Sequence, residues 1–250
     1  MQIPKLKARV NNSDRNLHEL VDISIVIPTL NEEKYLPRLL KSIRAQKAEC
    51  KFEVIVVDGF SKDRTVDVAK QLGANVLVAK TNIAEARNIG GLYARGRFLL
   101  FLDADTVIPQ GFLNDLKRLL ESGVKCAVFR PEPLEYARSL FARTGYTLGW
   151  ILCQFRLTNP CYMGLAIDRI IFKNVGGFDK HLVYSEDLDF LWKVSKVVRV
   201  HYPKRPSIYS STRRWMRNGR LRLSECFKIA LRIVQYLVLR KSGMEYPIYR

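Results

Sequence analysis

The chain has 250 residues, 48% of them hydrophobic, and carries 42 Lys and Arg against 24 Asp and Glu for a formal net charge of +18. That apolar content suits one large folded domain with an appendage and excludes a disordered chain. No apolar run reaches the roughly 18 residues of a membrane-spanning helix. The charge is uneven: residues 1–191 hold 27 basic and 22 acidic side chains, residues 192–250 hold 15 and 2. The last quarter is therefore a cationic module, suited to nucleic acid, anionic lipid headgroups or phosphorylated substrates. Five scattered cysteines, Cys50, Cys126, Cys153, Cys161 and Cys226, show no metal-ligand spacing and predict free thiols in a reducing cytosol. The N-terminus is polar as far as Asp22 and reads as a lead-in over 1–21 rather than a secretory leader.

In chain order, Ile23 to Thr29 predicts a strand, and Asn31, Glu32 and Glu33 open a helix that runs to about Gln46. Phe52 to Val57 is a second strand stopped by Asp58-Gly59, Ser61 and Asp63 cap a helix ending at Gly73, and Asn75 to Ala79 is a third strand. Asn82 to Arg95 reads as helical despite Gly90-Gly91, and it leads into an apolar strand, Phe98 to Leu102. Strands alternating with helices predict βαβ units and a mainly parallel sheet, with the ligand at the carboxyl ends of the strands. Asn31, Asp58 and Asp103 sit at such ends. A helix over Phe112 to Leu120 and a strand over Val124 to Phe129 follow. The uncharged stretch Gly145 to Phe155 is expected to be a core helix, in preference to a membrane-facing or acceptor-binding segment. Gly176-Gly177-Phe178-Asp179 forms a turn, and Ser185-Glu186-Asp187 caps a further helix.

The organising feature is the acidic end of the fourth strand, Asp103-Ala104-Asp105. In an extended chain residues i and i+2 share a side, so the two carboxylates are expected to project together. Like charges this close call for a cation between them, and a hard divalent ion with oxygen ligands answers that need. A phosphate-bearing substrate would supply the remaining oxygens.

Taken with Ile25-Val26-Ile27-Pro28-Thr29-Leu30-Asn31-Glu32, Val54-Ile55-Val56-Val57-Asp58-Gly59-Phe60-Ser61-Lys62-Asp63, Ala86-Arg87-Asn88-Ile89-Gly90 and the later Gly176-Gly177-Phe178-Asp179 and Ser185-Glu186-Asp187, the acidic pair resembles the family 2 glycosyltransferases. These are inverting nucleotide-sugar transferases of the GT-A fold. The match covers about 22–218, leaving 219–250 as a basic amphipathic C-terminal helix. The resemblance implies that Asp105 ligates a divalent metal, Mn2+ or Mg2+, bridging the donor phosphates, with Asp103 near the ribose or the metal. It implies Asp58 at the nucleobase, Thr29 and Asn31 with Glu32 beside them at the base and ribose wall, and Arg87 near the diphosphate. Asp187 matches the second carboxylate of the family's Glu-Asp pair and is the implied general base, with Glu186 beside the substrate; three acids at a helix N-terminus also suit the helix dipole alone. Ser211-Thr212-Arg213-Arg214-Trp215 stands where many relatives carry Gln-x-x-Arg-Trp, so Arg213 and Arg214 are expected at the diphosphate and Trp215 over a sugar, with Ser211 departing from the pattern. Phe60 departs too, where relatives often have a small residue.

The implied donor is a nucleoside diphosphate sugar, UDP-linked first and GDP-linked second, and the acceptor a glycan or lipid-linked molecule. The apolar spacing of Leu223, Cys226, Phe227, Ala230, Leu231, Val234 and Leu237 predicts a helix that packs on the domain, as most such helices do, forms a dimer seam or lies in a membrane interface; the basic residues from Arg213 to Lys241 around it favour peripheral attachment to an anionic membrane on the cytoplasmic side. A NAD-binding oxidoreductase is disfavoured because no Gly-x-Gly-x-x-Gly follows a strand. A sugar-nucleotide pyrophosphorylase expects a Gly-rich loop where Pro28-Thr29-Leu30-Asn31 stands, and a polyprenyl-phosphate sugar synthase expects a His-Pro stretch where Thr106-Val107-Ile108-Pro109 stands. The rival from another class is a non-catalytic basic protein binding RNA or anionic lipid. It leaves Asp58, Asp103, Asp105 and Asp187 unexplained. Oligomeric state is not legible in the sequence.

Overall fold

The computed structural model describes residues 21–136, 139–155, 164–182, 185–213, 216–217, 220–222, 224, 227–228 and 231. Eleven strands and seven helices alternate among them: β1 Ile23–Thr29, α1 Leu36–Arg44, β2 Phe52–Asp58, α2 Thr65–Gln71, β3 Asn75–Val78, α3 Ile83–Tyr93, β4 Phe98–Phe101, β5 Thr106–Val107, α4 Phe112–Glu121, β6 Cys126–Val128, β7 Arg130–Pro133, α5 Leu140–Gln154, β8 Leu165–Asp168, α6 Arg169–Asn174, α7 Glu186–Ser195, β9 Ser207–Ser210, β10 Met216–Arg217 and β11 Arg220–Leu221. The main sheet runs β3-β2-β1-β4-β8-β6. Its first four strands are parallel, β8 is antiparallel to β4, and β6 is antiparallel to β8. A second sheet, β5-β9-β7, stands beside it.

Burial on both faces of the main sheet explains why β1 and β4 read as continuous apolar runs. Ile23, Ile25 and Ile27 face the cluster that holds Leu36, Leu39, Leu40, Phe112 and Leu116 of α1 and α4. Val26, with Leu99 and Phe101 of β4, faces the opposite cluster, where Phe172, Phe178 and Phe190 meet. The glycine pair that argues against a helix in the sequence serves that packing. A Cβ on Gly90 would come 2.3 Å from Val26 Cγ1, and one on Gly91 2.6 Å from Phe172. Bare backbone there lets α3 approach β1, and the Asn82 side chain accepts the Glu85 N–H to cap its first turn.

Three local expectations change. The first helix begins at Leu36 rather than Asn31, because Asn31 takes a left-handed φ of +56° and the Asn31 to Glu33 amides donate to side chains of the following loop. Asp103 to Asp105 is a turn, not extended strand: Thr106 donates its N–H and its hydroxyl to the Asp103 carbonyl. The shared side inferred for an extended pair therefore does not apply. Ser185 precedes α7 at φ +59° without a side-chain cap bond. Three expectations lie mostly or wholly outside the described residues: the lead-in, the segment holding Arg214 and Trp215, and the tail helix. Cys50, Cys126 and Cys153 are buried and in no disulfide, and burial pushes the thiols of Cys50 and Cys126 up, away from thiolate.

Candidate active site

The carboxyl ends of β1 and β2 are tied to each other before any ligand is considered. Asp58, fully buried at the end of β2, accepts from the Thr29 hydroxyl at 3.1 Å, the Ser61 hydroxyl at 2.5 Å and the Ser61 N–H at 2.8 Å. The loops after β1 and β2 then exchange bonds: Asn31 N–H donates to Ser61 Oγ, Lys62 N–H to Asn31 Oδ1, Glu32 N–H to Thr65 Oγ1 and Glu33 N–H to Asp63 Oδ2. Burial raises the Asp63 carboxyl, but the hydrogen bonds from Thr65 and Glu33 outweigh it and hold the group below its ordinary value. Phe60 stands out of this lattice at φ +73° with 62% of its surface exposed.

The acidic turn after β4 is held by two arginines from opposite ends of the chain. Arg87 of α3, only 2% exposed, donates to Asp103 Oδ1 at 2.9 Å and to Glu186 Oε1 at 2.6 Å, with its guanidinium carbon 5.4 Å from the centre of the Phe178 ring. Two carboxylates and one guanidinium taken out of water together are tolerable only with such short charge-assisted bonds. Arg87 thus makes a buried link between the acidic turn and the first turn of α7. Asp187 lies next along that turn, buried, with Oδ1 accepting the Leu188 N–H at 2.9 Å.

Arg213 provides the second hold. Its Nε donates to Asp105 Oδ2 at 2.7 Å and its other guanidinium nitrogen to Glu32 Oε1 at 2.6 Å, across 108 and 181 residues of sequence. The guanidinium lies 4.1 Å over the Tyr35 ring. A cation therefore already sits between the carboxylates of Glu32 and Asp105. The donor set is hard oxygen, and among the described residues no group of three or more His, Cys, Asp or Glu forms a closed cage. Each carboxylate is a hard oxygen donor of the kind that Mg2+ or Mn2+ takes together with oxygens of water and substrate phosphate.

Sequence reasoning missed what positions Arg213. Glu135, between β7 and α5, accepts from the Ser211 hydroxyl at 3.1 Å, the Thr212 N–H at 2.8 Å and the Thr212 hydroxyl at 3.3 Å. The Tyr146 hydroxyl of α5 donates into the same turn, 2.8 Å from the Ser210 carbonyl oxygen, and Ser211 N–H reaches the Asp105 carbonyl at 3.1 Å. No motif surrounds Glu135 or Tyr146, and only the pairing of β9 with β5 and β7 brings them here. Arg214 and Trp215 fall outside the described residues.

The acidic turns answered by arginines lie at the carboxyl ends of strands in an open α/β sheet, the place where such sheets bind ligands. Residues 24–176 match the glycosyl transferase family 2 profile, and the chain belongs to that family. It is 30% identical over 177 residues, 67% of each chain, to the PGL/p-HBAD biosynthesis glycosyltransferase of Mycobacterium tuberculosis. It is 29% identical over 184 residues to an uncharacterized glycosyltransferase of Haemophilus influenzae, spanning 61% of that relative's length. The fold is GT-A-like. Staphylococcus aureus TarS in complex with UDP-GlcNAc superposes with a TM-score of 0.63 at 22% identity, covering 90% of this chain and 68% of the other. A mannosyltransferase of Pyrobaculum calidifontis in complex with GDP-Man and Mn2+ superposes with 0.62 at 17% identity, covering 92% and 67%.

Proposed function

We propose that the chain transfers a sugar from a nucleoside diphosphate sugar to a hydroxyl acceptor with inversion, using the cleft between the β1, β2 and β4 ends. The observation that carries this reading is the pair of arginine-held carboxylate sites, Glu186–Arg87–Asp103 and Asp105–Arg213–Glu32, at the ends of parallel strands. Asp187 accepts the proton from the acceptor hydroxyl. The acceptor oxygen attacks the anomeric carbon from the face opposite the diphosphate, the bond from that carbon to the phosphate oxygen breaks, and the nucleoside diphosphate departs with the electron pair. Asp105, with Asp103, would hold a divalent ion whose charge offsets that of the leaving diphosphate. Arg213 competes between its two carboxylates and the incoming diphosphate, so its present pairing marks the position from which it engages donor. The base side is walled by Thr29, Asn31 and Asp58.

UDP is the first nucleotide to test and GDP the second; the relatives include proteins in complex with either kind of donor. Calorimetric titration of UDP and GDP, with and without Mn2+, into the wild type and Asp105→Ala tests the reading. One nucleotide is expected to bind with metal dependence that the substitution removes. Failure of both nucleotides to bind under any condition would overturn the donor site.

A further inference from the structure

Helix α5 has the wrong outer face for a helix in water. Its inner face is ordinary, with Ala142, Tyr146, Trp150 and Cys153 buried at helical spacing. The outward stripe should be charged. Instead Leu140 is 75% exposed, Leu148 56%, Ile151 41% and Phe155 71%, and Arg143 is the sole charged residue among the fifteen of the helix. The segment around it is as unusual in charge as in apolarity: residues 137–167 contain Arg138, Arg143 and Arg156 and no Asp or Glu.

We propose that the outer face of α5 is a membrane-docking surface that inserts into the headgroup boundary of an anionic lipid bilayer. Leu148, Ile151 and Phe155 supply the buried apolar area, and the all-basic segment supplies attraction to lipid phosphates. A second copy of the chain is the poorer occupant, since pairing this face with itself would bring arginines of like charge together without an acidic residue to answer them. The cationic C-terminal quarter has the same preference, and its described residues Phe227 and Leu231 are also exposed, at 69% and 47%. The location has a functional consequence. Tyr146 on the buried side of α5 bonds the Ser210 carbonyl, three residues before Arg213, so a bilayer touching α5 lies one helix away from the acidic turn. That arrangement suits an acceptor presented from a lipid surface. The docking surface itself does not depend on which donor the cleft takes.

The test is co-sedimentation of the full chain with vesicles of phosphatidylcholine alone and of phosphatidylcholine mixed with phosphatidylglycerol, comparing wild type with Leu148→Glu/Phe155→Glu. Both positions are exposed, so unfolding temperature and UDP or GDP binding should be unchanged. Wild type is expected to sediment only with the anionic vesicles and the variant to lose about tenfold or more in partitioning. A Leu148→Trp variant should show blue-shifted emission on the same vesicles, quenched by brominated acyl chains. Undiminished sedimentation of the double variant, no sedimentation of the wild type, emission of Leu148→Trp quenched no more than that of the wild type, or a wild-type dimer that the double variant converts to monomer would each overturn the proposal.

Discussion

The two ends of the main sheet each bury a carboxylate beside an arginine, and they do so in opposite ways. At the amino end, Glu53 of β2 accepts from the Ser24 hydroxyl at 2.6 Å, the Arg95 N–H at 2.8 Å and Arg95 Nε at 3.0 Å, while Gly96 N–H donates to Ser24 Oγ at 2.8 Å. A Cβ on Gly96 would lie 2.6 Å from the Ser24 nitrogen, so backbone packs directly against the network. At the carboxyl end, Asp105 and Glu32 are held by one side chain carried in on a distant turn. Two backbone N–H groups and the Ser24 hydroxyl join the Arg95 side chain in the amino-end network, whereas at the carboxyl end one guanidinium bridges Asp105 and Glu32. On the proposed function, the same chemistry serves stability at one end and ligand binding at the other.

The comparison can be broken at four points. Asp187→Asn should have the largest effect, a fall of about 10²–10⁴-fold in turnover with donor affinity retained, because it removes only the proposed proton acceptor. Steady-state kinetics separates the two, and an unchanged turnover would remove Asp187 from the chemistry. Arg87→Met leaves Asp103 and Glu186 buried without their shared cation and should cost about 3–5 kcal/mol of stability, read from denaturant unfolding, with part recovered by adding Glu186→Gln. At the other end of the sheet, Glu53→Gln should destabilise by about 1–3 kcal/mol while the folded protein keeps its nucleotide affinity. A loss of affinity there would show that the two ends are not separate in role.

The smallest effect is expected at Asp63, whose folded carboxyl is held below its unfolded value of about 3.9. A depressed acid contributes stability above the unfolded value and loses it as pH falls through the folded one. Asp63→Asn should therefore cost on the order of 1 kcal/mol at neutral pH, and its gap from wild type should close in acid. Thermal unfolding across that range checks the sign.

The candidate site was legible to different depths. Asp58, Asp103 and Asp105 follow apolar strands, and a strand end followed by an acid is visible in a short window of sequence. A helix starting at Asn82 was legible for the same reason, and the structure makes Asn82 its cap. The turn at Asp103 to Asp105 was not, because the extended reading of an alternating pair ignores a hydrogen bond that Thr106 makes back to Asp103. Glu135 and Tyr35 carried no signal at all, since neither lies in a pattern and each gains meaning only from Arg213.

By itself the sequence determined the alternation of strands and helices, the two-sided burial of the central strands and the presence of acids at their carboxyl ends. Those features arise from hydrophobic periodicity and capping between near neighbours in the chain. Tertiary structure decided which arginine answers which acid, that β8 enters the sheet antiparallel between β4 and β6, and that α5 turns one apolar face inward and another outward. The physical reason is distance along the chain. Arg87 reaches Glu186 across 99 residues and Arg213 reaches Glu32 across 181, and contacts of that separation exist only once the sheet order has brought the strand ends together.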